Sequence, residues 1–156
     1  MKIGIVSDTH RLIRNMDKAI PYLENCDLII HAGDNYSDAR YIYGETGVNV
    51  MAVVGNCDFE DAEDELLFDF GGKKFFVCHG HRYDVKYGTK FLQTKAEREG
   101  ADIVVFGHSH ETFSEVINGT LYINPGSLSL PRGSSKRGFA ILEIDGDNIK
   151  VKEVEI

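Results

Sequence analysis

The stretch K-I-G-I-V-S-D-T-H, Lys2 to His10, decides how the rest of this chain reads. With β-branched Ile3, Ile5 and Val6 beside Gly4, it reads as a buried strand rather than the start of a helix. The run ends in a carboxylate and an imidazole, Asp8 and His10, two positions apart. In extended backbone, residues i and i+2 point to the same side, so both groups can converge on one point just past the strand end. That point is a candidate metal site. Taken alone, Asp-x-His fits a solvated turn at least as well, and the choice falls to the segments that follow.

Leu12, Met16, Ala19, Ile20 and Leu23 recur at helical spacing and predict an amphipathic helix from Arg11 to Asn25, which Pro21 is expected to kink or shorten. D-L-I-I-H-A-G-D, Asp27 to Asp34, reads as a second buried parallel strand that delivers Asp34 at its carboxyl end. Asp38 to Tyr43 reads as a short helix, and Val48 to Val54 as a third strand closing on Gly55-Asn56-Cys57-Asp58. This alternation places the chain in the α/β class.

Glu60 to Glu65 reads as a solvated acidic loop. A hairpin turning at Gly71-Gly72 follows, its second arm ending at His79, and then a helix from Tyr87 to Glu99 with Gly100 as its cap. A-D-I-V-V-F-G-H-S-H is a further buried strand running out into His108 and His110. Thr112 to Ile117 and Thr120 to Ile123 flank Asn118-Gly119, and Gly138 to Ile144 pairs with Asn148 to Val154. Parallel crossovers early and hairpins late suit two mixed β-sheets packed face to face with helices outside.

A length of 156 residues suits one domain, 1–156. Hydrophobic residues at 42% and charged residues at 27% exclude disordered and fibrous classes. The net charge of −8 argues against a stable nucleic-acid complex, which needs Lys and Arg to neutralise phosphates. Three cysteines without regular spacing, Cys26, Cys57 and Cys78, suggest reduced thiols rather than a disulfide framework. No apolar run approaches the roughly 20 residues that span a bilayer, and Met1 leads directly into a strand, so the cytoplasm is the expected compartment and no membrane partner is expected.

The candidate ligands Asp8, His10, Asp34, Asn56, His79, His108 and His110 all fall just beyond the carboxyl ends of predicted strands. That edge is where open α/β sheets bind ligands, so these scattered residues are expected to be neighbours. Carboxylates, an amide oxygen and imidazoles together suit Mn²⁺, Fe²⁺, Co²⁺, Ni²⁺ or Zn²⁺, and are too rich in nitrogen for Ca²⁺ or Mg²⁺. Seven ligands exceed one mononuclear site with open positions and match two ions sharing a carboxylate.

Asp8-Thr9-His10, Gly33-Asp34, Gly55-Asn56-Cys57-Asp58, His79-Gly80-His81 and Gly107-His108-Ser109-His110 occur in the order of the motifs of the calcineurin-like metallophosphoesterase superfamily, which this chain resembles. The short length, the G-N-C-D variant and I-N-P-G-S at Ile123 to Ser127 look most like its compact bacterial and archaeal phosphodiesterase branch. The resemblance implies a dinuclear phosphodiesterase acting on small phosphodiesters through a metal-bridging hydroxide, with Mn²⁺ as the first choice of metal. It assigns Asp8, His10, Asp34 and His110 to one ion and Asp34, Asn56, His79 and His108 to the other, Asp34 bridging. A phosphomonoesterase or nucleotide hydrolase is the enzymatic alternative. The non-enzymatic one is a scaffold like the retromer subunit, which shares the chain's size and its N-P-G-S segment.

Cys57 departs from much of the superfamily, where a histidine at that position is thought to protonate the leaving oxygen. A missing general acid costs about 10² to 10⁴ in rate, most for poor leaving groups. His81 is the candidate replacement, against a supporting role as a hydrogen-bonded histidine near the metals. Arg132 is a candidate phosphate clamp. His31 reads as a satisfied core residue rather than a ligand, and a homodimer is a possible partner state.

Overall fold

The computed structural model describes residues 1–156. Its strands are β1 (Lys2–Val6), β2 (Leu28–His31), β3 (Val50–Ala52), β4 (Glu65–Phe70), β5 (Lys73–Cys78), β6 (Ile103–Val105), β7 (Thr112–Ile117), β8 (Thr120–Pro125), β9 (Gly138–Asp145) and β10 (Asn148–Glu155). The helices are α1 (Ile13–Leu23), α2 (Asp38–Thr46) and α3 (Lys90–Glu99). They build two five-stranded sheets, in the orders β10-β9-β1-β2-β3 and β4-β5-β6-β8-β7. Both are mixed. β1, β2 and β3 run parallel with β9 antiparallel to β1, and β5, β6 and β8 run parallel with β4 and β7 as antiparallel edges.

The period-two alternation of the strands sorts their apolar residues into layers. Ile3 and Ile5 of β1 and Ile30 of β2 face the other sheet and meet Phe75, Val77 and Val105, forming the core between the sheets. Val6 and Ile29 face the opposite way and are covered by Met16, Ala19 and Leu23 of α1 and Ile42 of α2. On the far side Leu92 and Ala96 of α3 cover Phe76, Val104 and Tyr122. The result is the expected α-β-β-α sandwich. Gly4 sets how closely the first layer packs, since a Cβ there would lie 2.4 Å from Leu23 Cδ2.

Several element boundaries differ from the sequence expectation, each for a local reason. α1 begins at Ile13 because Arg11 sits at φ 61°, in the left-handed region, and it continues through Pro21 for only two more residues. α2 runs past Tyr43 to Thr46, where Gly47 at φ 69° caps it. α3 starts at Lys90 rather than Tyr87, because Val85–Tyr87 forms its own 3₁₀ turn and Gly88 at φ 129° separates the two. β3 is confined to Val50–Ala52, and the chain beyond it leaves the sheet on the way to Asn56.

Candidate metal centre

Because β1, β2 and β3 are parallel, their carboxyl ends lie along one edge, and β5 and β6 bring theirs to the matching edge of the second sheet. The His79 ring crosses between the sheets: its Nδ1 lies 2.7 Å from the Ala32 carbonyl oxygen just past β2. The His108 backbone N–H likewise donates to Asp8 Oδ2 at 3.2 Å. Residues far apart in sequence are thereby held in one place.

The loops that carry them turn sharply. Asp8, His10, Asp34, His108 and His110 have φ of 52°, 47°, 58°, 68° and 58°, left-handed values that non-glycine residues adopt at a cost of about 1–3 kcal/mol each. The motif glycines make room for this. A Cβ on Gly55 would lie 2.2 Å from Asp34 Oδ1, and one on Gly107 would lie 2.1 Å from Ser7 Oγ and 2.8 Å from Asp8 Oδ2. Glycine is required at both because the backbone passes within contact distance of the carboxylates.

The ligand atoms of Asp8, His10, Asp34 and His110 all lie within 4.8 Å of one another. His110 Nε2 is 3.0 Å from Asp8 Oδ1, and His10 Nε2 is 3.9 Å from Asp8 Oδ1 and 4.0 Å from Asp34 Oδ2. His79 Nε2 is 3.4 Å from Asp34 Oδ2 and 3.8 Å from Asp8 Oδ1. The other ring nitrogens fix the tautomers. His79 Nδ1 faces the Ala32 carbonyl and His110 Nδ1 faces the Leu130 carbonyl at 2.6 Å. A carbonyl oxygen only accepts, so both Nδ1 atoms donate, and each neutral ring turns an Nε2 lone pair toward a carboxylate.

Lone pairs therefore face lone pairs. Asp8 Oδ1, His10 Nε2 and His79 Nε2 are buried with no hydrogen-bond partner, an arrangement that costs about 1–3 kcal/mol per group unless a cation lies among them. The donor set fits divalent metal. Burial alone would raise the Asp8 carboxyl, but His110 and His79 in their protonated forms hold it below its usual range. Asp34 is held well below, again against burial, by His79 and the Cys57 N–H. Burial alone would lower His79, yet Asp34 and Asp8 raise it above its usual value.

Asn56 and His108 are placed differently. Asn56 is exposed and its Nδ2 faces Cys57 Sγ at 3.6 Å. The His108 ring centre is 5.1 Å from that of His79, and burial, His79 and Lys86 push its pKa down to about 4. The His81 ring lies 5.5 Å from His79 and 6.1 Å from His108, with Nδ1 buried and unpartnered. Arg132 is exposed, and what it brings to the cluster is its backbone N–H, which donates to the His110 carbonyl at 3.0 Å. His31 is fully buried and hydrogen-bonded through both ring nitrogens, as a core histidine should be.

Sequence reasoning missed the residues that hold these loops. The Asp58 carboxylate accepts the backbone N–H groups of Gly55, Asp34, Asn35 and Tyr36 at 2.7, 3.1, 2.9 and 3.0 Å, clamping the Asp34 loop to the Asn56 loop. Ser127 and Ser129 both donate to the Asp8 carbonyl at 2.8 Å, and Asn124 donates to the Gly107 carbonyl at 3.0 Å. The I-N-P-G-S segment thus laces the first and last metal motifs together. Its polar residues inside an apolar run were the available signal. Arg82 pairs with Asp64 and Tyr83 hydrogen-bonds Glu65, so the acidic loop before β4 and the turn after β5 are joined to each other.

Comparison with known proteins converges on one group. Residues 1–147 match the family model described as the calcineurin-like phosphoesterase superfamily domain. A Bacillus subtilis protein named "Probable metallophosphoesterase YsnB" is 40% identical over 155 residues, covering 97% of this chain and 89% of the relative. "Phosphodiesterase MJ0936" of Methanocaldococcus jannaschii is 34% identical over 146 residues, covering 81% of this chain and 83% of that protein. Among solved structures, Entamoeba histolytica Vps29 complexed with Zn²⁺ superposes with a TM-score of 0.79, covering 99% of this chain and 98% of the other, at 17% identity, a likeness of fold alone.

Proposed function

This chain belongs to the calcineurin-like phosphoesterase superfamily and is a metal-dependent phosphoesterase, and from that premise we propose that it is a dinuclear phosphodiesterase acting on small phosphodiesters. The observation that carries the metal centre is the set of buried lone pairs on Asp8, His10 and His79 turned toward one another. Asp8, His10, Asp34 and His110 hold one ion; Asp34, Asn56, His79 and His108 hold the second, Asp34 serving both. Nitrogen and oxygen donors in this ratio suit Mn²⁺ first, with Fe²⁺, Co²⁺, Ni²⁺ and Zn²⁺ as alternatives. When bound, such ions supply an activated water as nucleophile and neutralise charge on the phosphoryl oxygens.

The chain's own residues orient and position. Ala32 and Leu130 carbonyls fix the His79 and His110 tautomers, and Asp58 holds the Asp34 and Asn56 loops in register. Cys57, exposed beside Asn56, stands where the resemblance places a histidine that protonates the leaving oxygen. Similarity to proteins named phosphodiesterases is why we rank diester above monoester hydrolysis, and a missing proton donor should tell most on esters with poor leaving groups. Arg132 on its exposed turn is the candidate phosphate clamp, and His81, whose ring stands beside those of His79 and His108, is the candidate proton donor or supporting histidine.

The test is turnover of bis-p-nitrophenyl phosphate and p-nitrophenyl phosphate by metal-stripped protein before and after Mn²⁺ addition, with the Mn²⁺ stoichiometry measured alongside. Activity should appear only with metal, favour the diester, and saturate at two ions per chain. Monoester preference would reverse the ranking, and a stoichiometry of one would end the dinuclear reading.

A further inference from the structure

Thr9, the residue between Asp8 and His10, is fully buried, as is His31, and Asp38 in the first turn of α2 is only 6% exposed. Their hydrogen bonds have one consistent direction. Gly33 N–H donates to His31 Nδ1 at 3.1 Å, so the proton of the neutral ring sits on Nε2, which donates to Thr9 Oγ1 at 2.9 Å. The Thr9 hydroxyl then donates to Asp38 Oδ2 at 2.5 Å, and the same oxygen accepts the Arg11 N–H at 2.9 Å.

The relay joins β2, the loop after β1 and α2, and it grips that loop on both sides of His10, at the Thr9 side chain and the Arg11 backbone. The loop is strained: Asp8, His10 and Arg11 have φ of 52°, 47° and 61°. Such conformations persist only where the surroundings over-determine them. Serine contacts to the Asp8 carbonyl hold one end. They leave the His10 side of the turn to Thr9 and Asp38.

We propose that Thr9, His31 and Asp38 are positioning residues of the metal centre, holding Asp8 and His10 in the left-handed turn that aims Asp8 Oδ1 and His10 Nε2 into the same space. None of the three touches ion or substrate. The inference rests on the metal-centre reading above and adds to it a device that presets affinity before metal arrives.

Thr9→Val keeps the side-chain shape and removes the hydroxyl, leaving the His31 Nε2–H and one Asp38 contact unmet, whereas Thr9→Ser keeps the hydroxyl. Calorimetric titration of metal-stripped protein with Mn²⁺ should show binding weakened about 10–100-fold in Thr9→Val, the range typical for outer partners of metal ligands, and near parental binding in Thr9→Ser. Thr9→Ala gives the same comparison should the valine variant fail to fold, and ¹⁵N NMR of the parent should find the His31 proton on Nε2. Parental Mn²⁺ affinity in the folded, hydroxyl-free variant would overturn the proposal whatever its melting temperature, as would a His31 proton on Nδ1. A parent protein that binds no Mn²⁺ would instead overturn the metal-centre reading on which this one depends.

Discussion

The two flanks of the candidate centre are built differently. On one, Asp8 is fully buried, His110 is 5% exposed, and each is tied by named hydrogen bonds to the I-N-P-G-S segment or the residues just after it. On the other, Asn56 is exposed, follows the shortest strand run of the first sheet, and is restrained through the backbone clamp of Asp58 rather than through its own side chain. Asp34 and His79 stand between. On the dinuclear reading proposed above, one ion position would be preorganised by the core, while the other would depend on a loop that must keep its shape at the surface. Preorganised ligands bind more tightly because less ordering remains to be done on binding, so the two ions should differ in affinity.

The largest break comes from removing what the flanks share. Asp34→Asn should eliminate measurable turnover: loss of an outer partner already costs about 10–100-fold, and loss of a ligand common to both positions should exceed that. Substantial hydrolysis by the Mn²⁺-reconstituted variant would mean that the carboxylate is not shared. Next, the flanks can be separated. Asp8→Asn should weaken the tighter Mn²⁺ binding step by more than about 100-fold, while Asn56→Ala should weaken the looser step by about tenfold and leave the tighter one nearly unchanged. Two-site analysis of calorimetric titrations reads both, and equal effects would erase the asymmetry.

A pH titration sharpens the same contrast. Burial opposes charge on His79, but Asp34 and Asp8 outweigh it and raise its pKa above the usual 6.5; burial, His79 and Lys86 push His108 down to about 4. A raised value means that the metal-free protein holds a proton on His79 below that pKa, and metal must displace it. Below that raised pKa, Mn²⁺ affinity should fall by about a factor of ten per pH unit through proton competition at His79, whereas His108 offers no competition until near pH 4. NMR of the metal-free protein should place the His79 midpoint above 6.5 and that of His108 near 4. A common midpoint would show that the carboxylates do not reach His79 as the structure implies.

Much of this was legible in the sequence because it follows from periodicity and position. Ile3, Ile5 and Ile30 alternate with Gly4 and Ile29, which is enough to assign both faces of β1 and β2 and hence the layers. Asp8, Asp34, His79 and His110 each end a strand run, and parallel topology then gathers them. What sequence could not show was how loops are held. Asp58 closes the Gly55-Asn56-Cys57-Asp58 motif, yet its carboxylate goes to four backbone N–H groups, a role set by loop conformation and invisible to side-chain chemistry. Thr9 likewise reads as a spacer in Asp-x-His, and its bond to Asp38 bridges 29 positions of sequence. The start of α3 was misplaced for a similar reason, since Gly88 at φ 129° breaks a helical pattern that composition alone would continue.

The smallest expected effect lies on the open flank, at Cys57. Its backbone N–H donates to Asp34 Oδ1 at 3.0 Å, so the residue already contributes to the centre through a group that substitution does not remove. The side chain is exposed, so a histidine there displaces no core. A well-placed general acid is worth about 10²–10⁴ in rate; an imidazole side chain exposed on this loop should realise only a small part of that. Cys57→His should therefore raise hydrolysis severalfold for diesters with poor leaving groups and leave activated aryl diesters nearly unchanged. Plotted against leaving-group pKa, the rates of the variant should fall less steeply than those of the parent. Parallel slopes would mean that proton donation does not limit the parent reaction, and that the open flank is shaped by metal affinity rather than by acid catalysis.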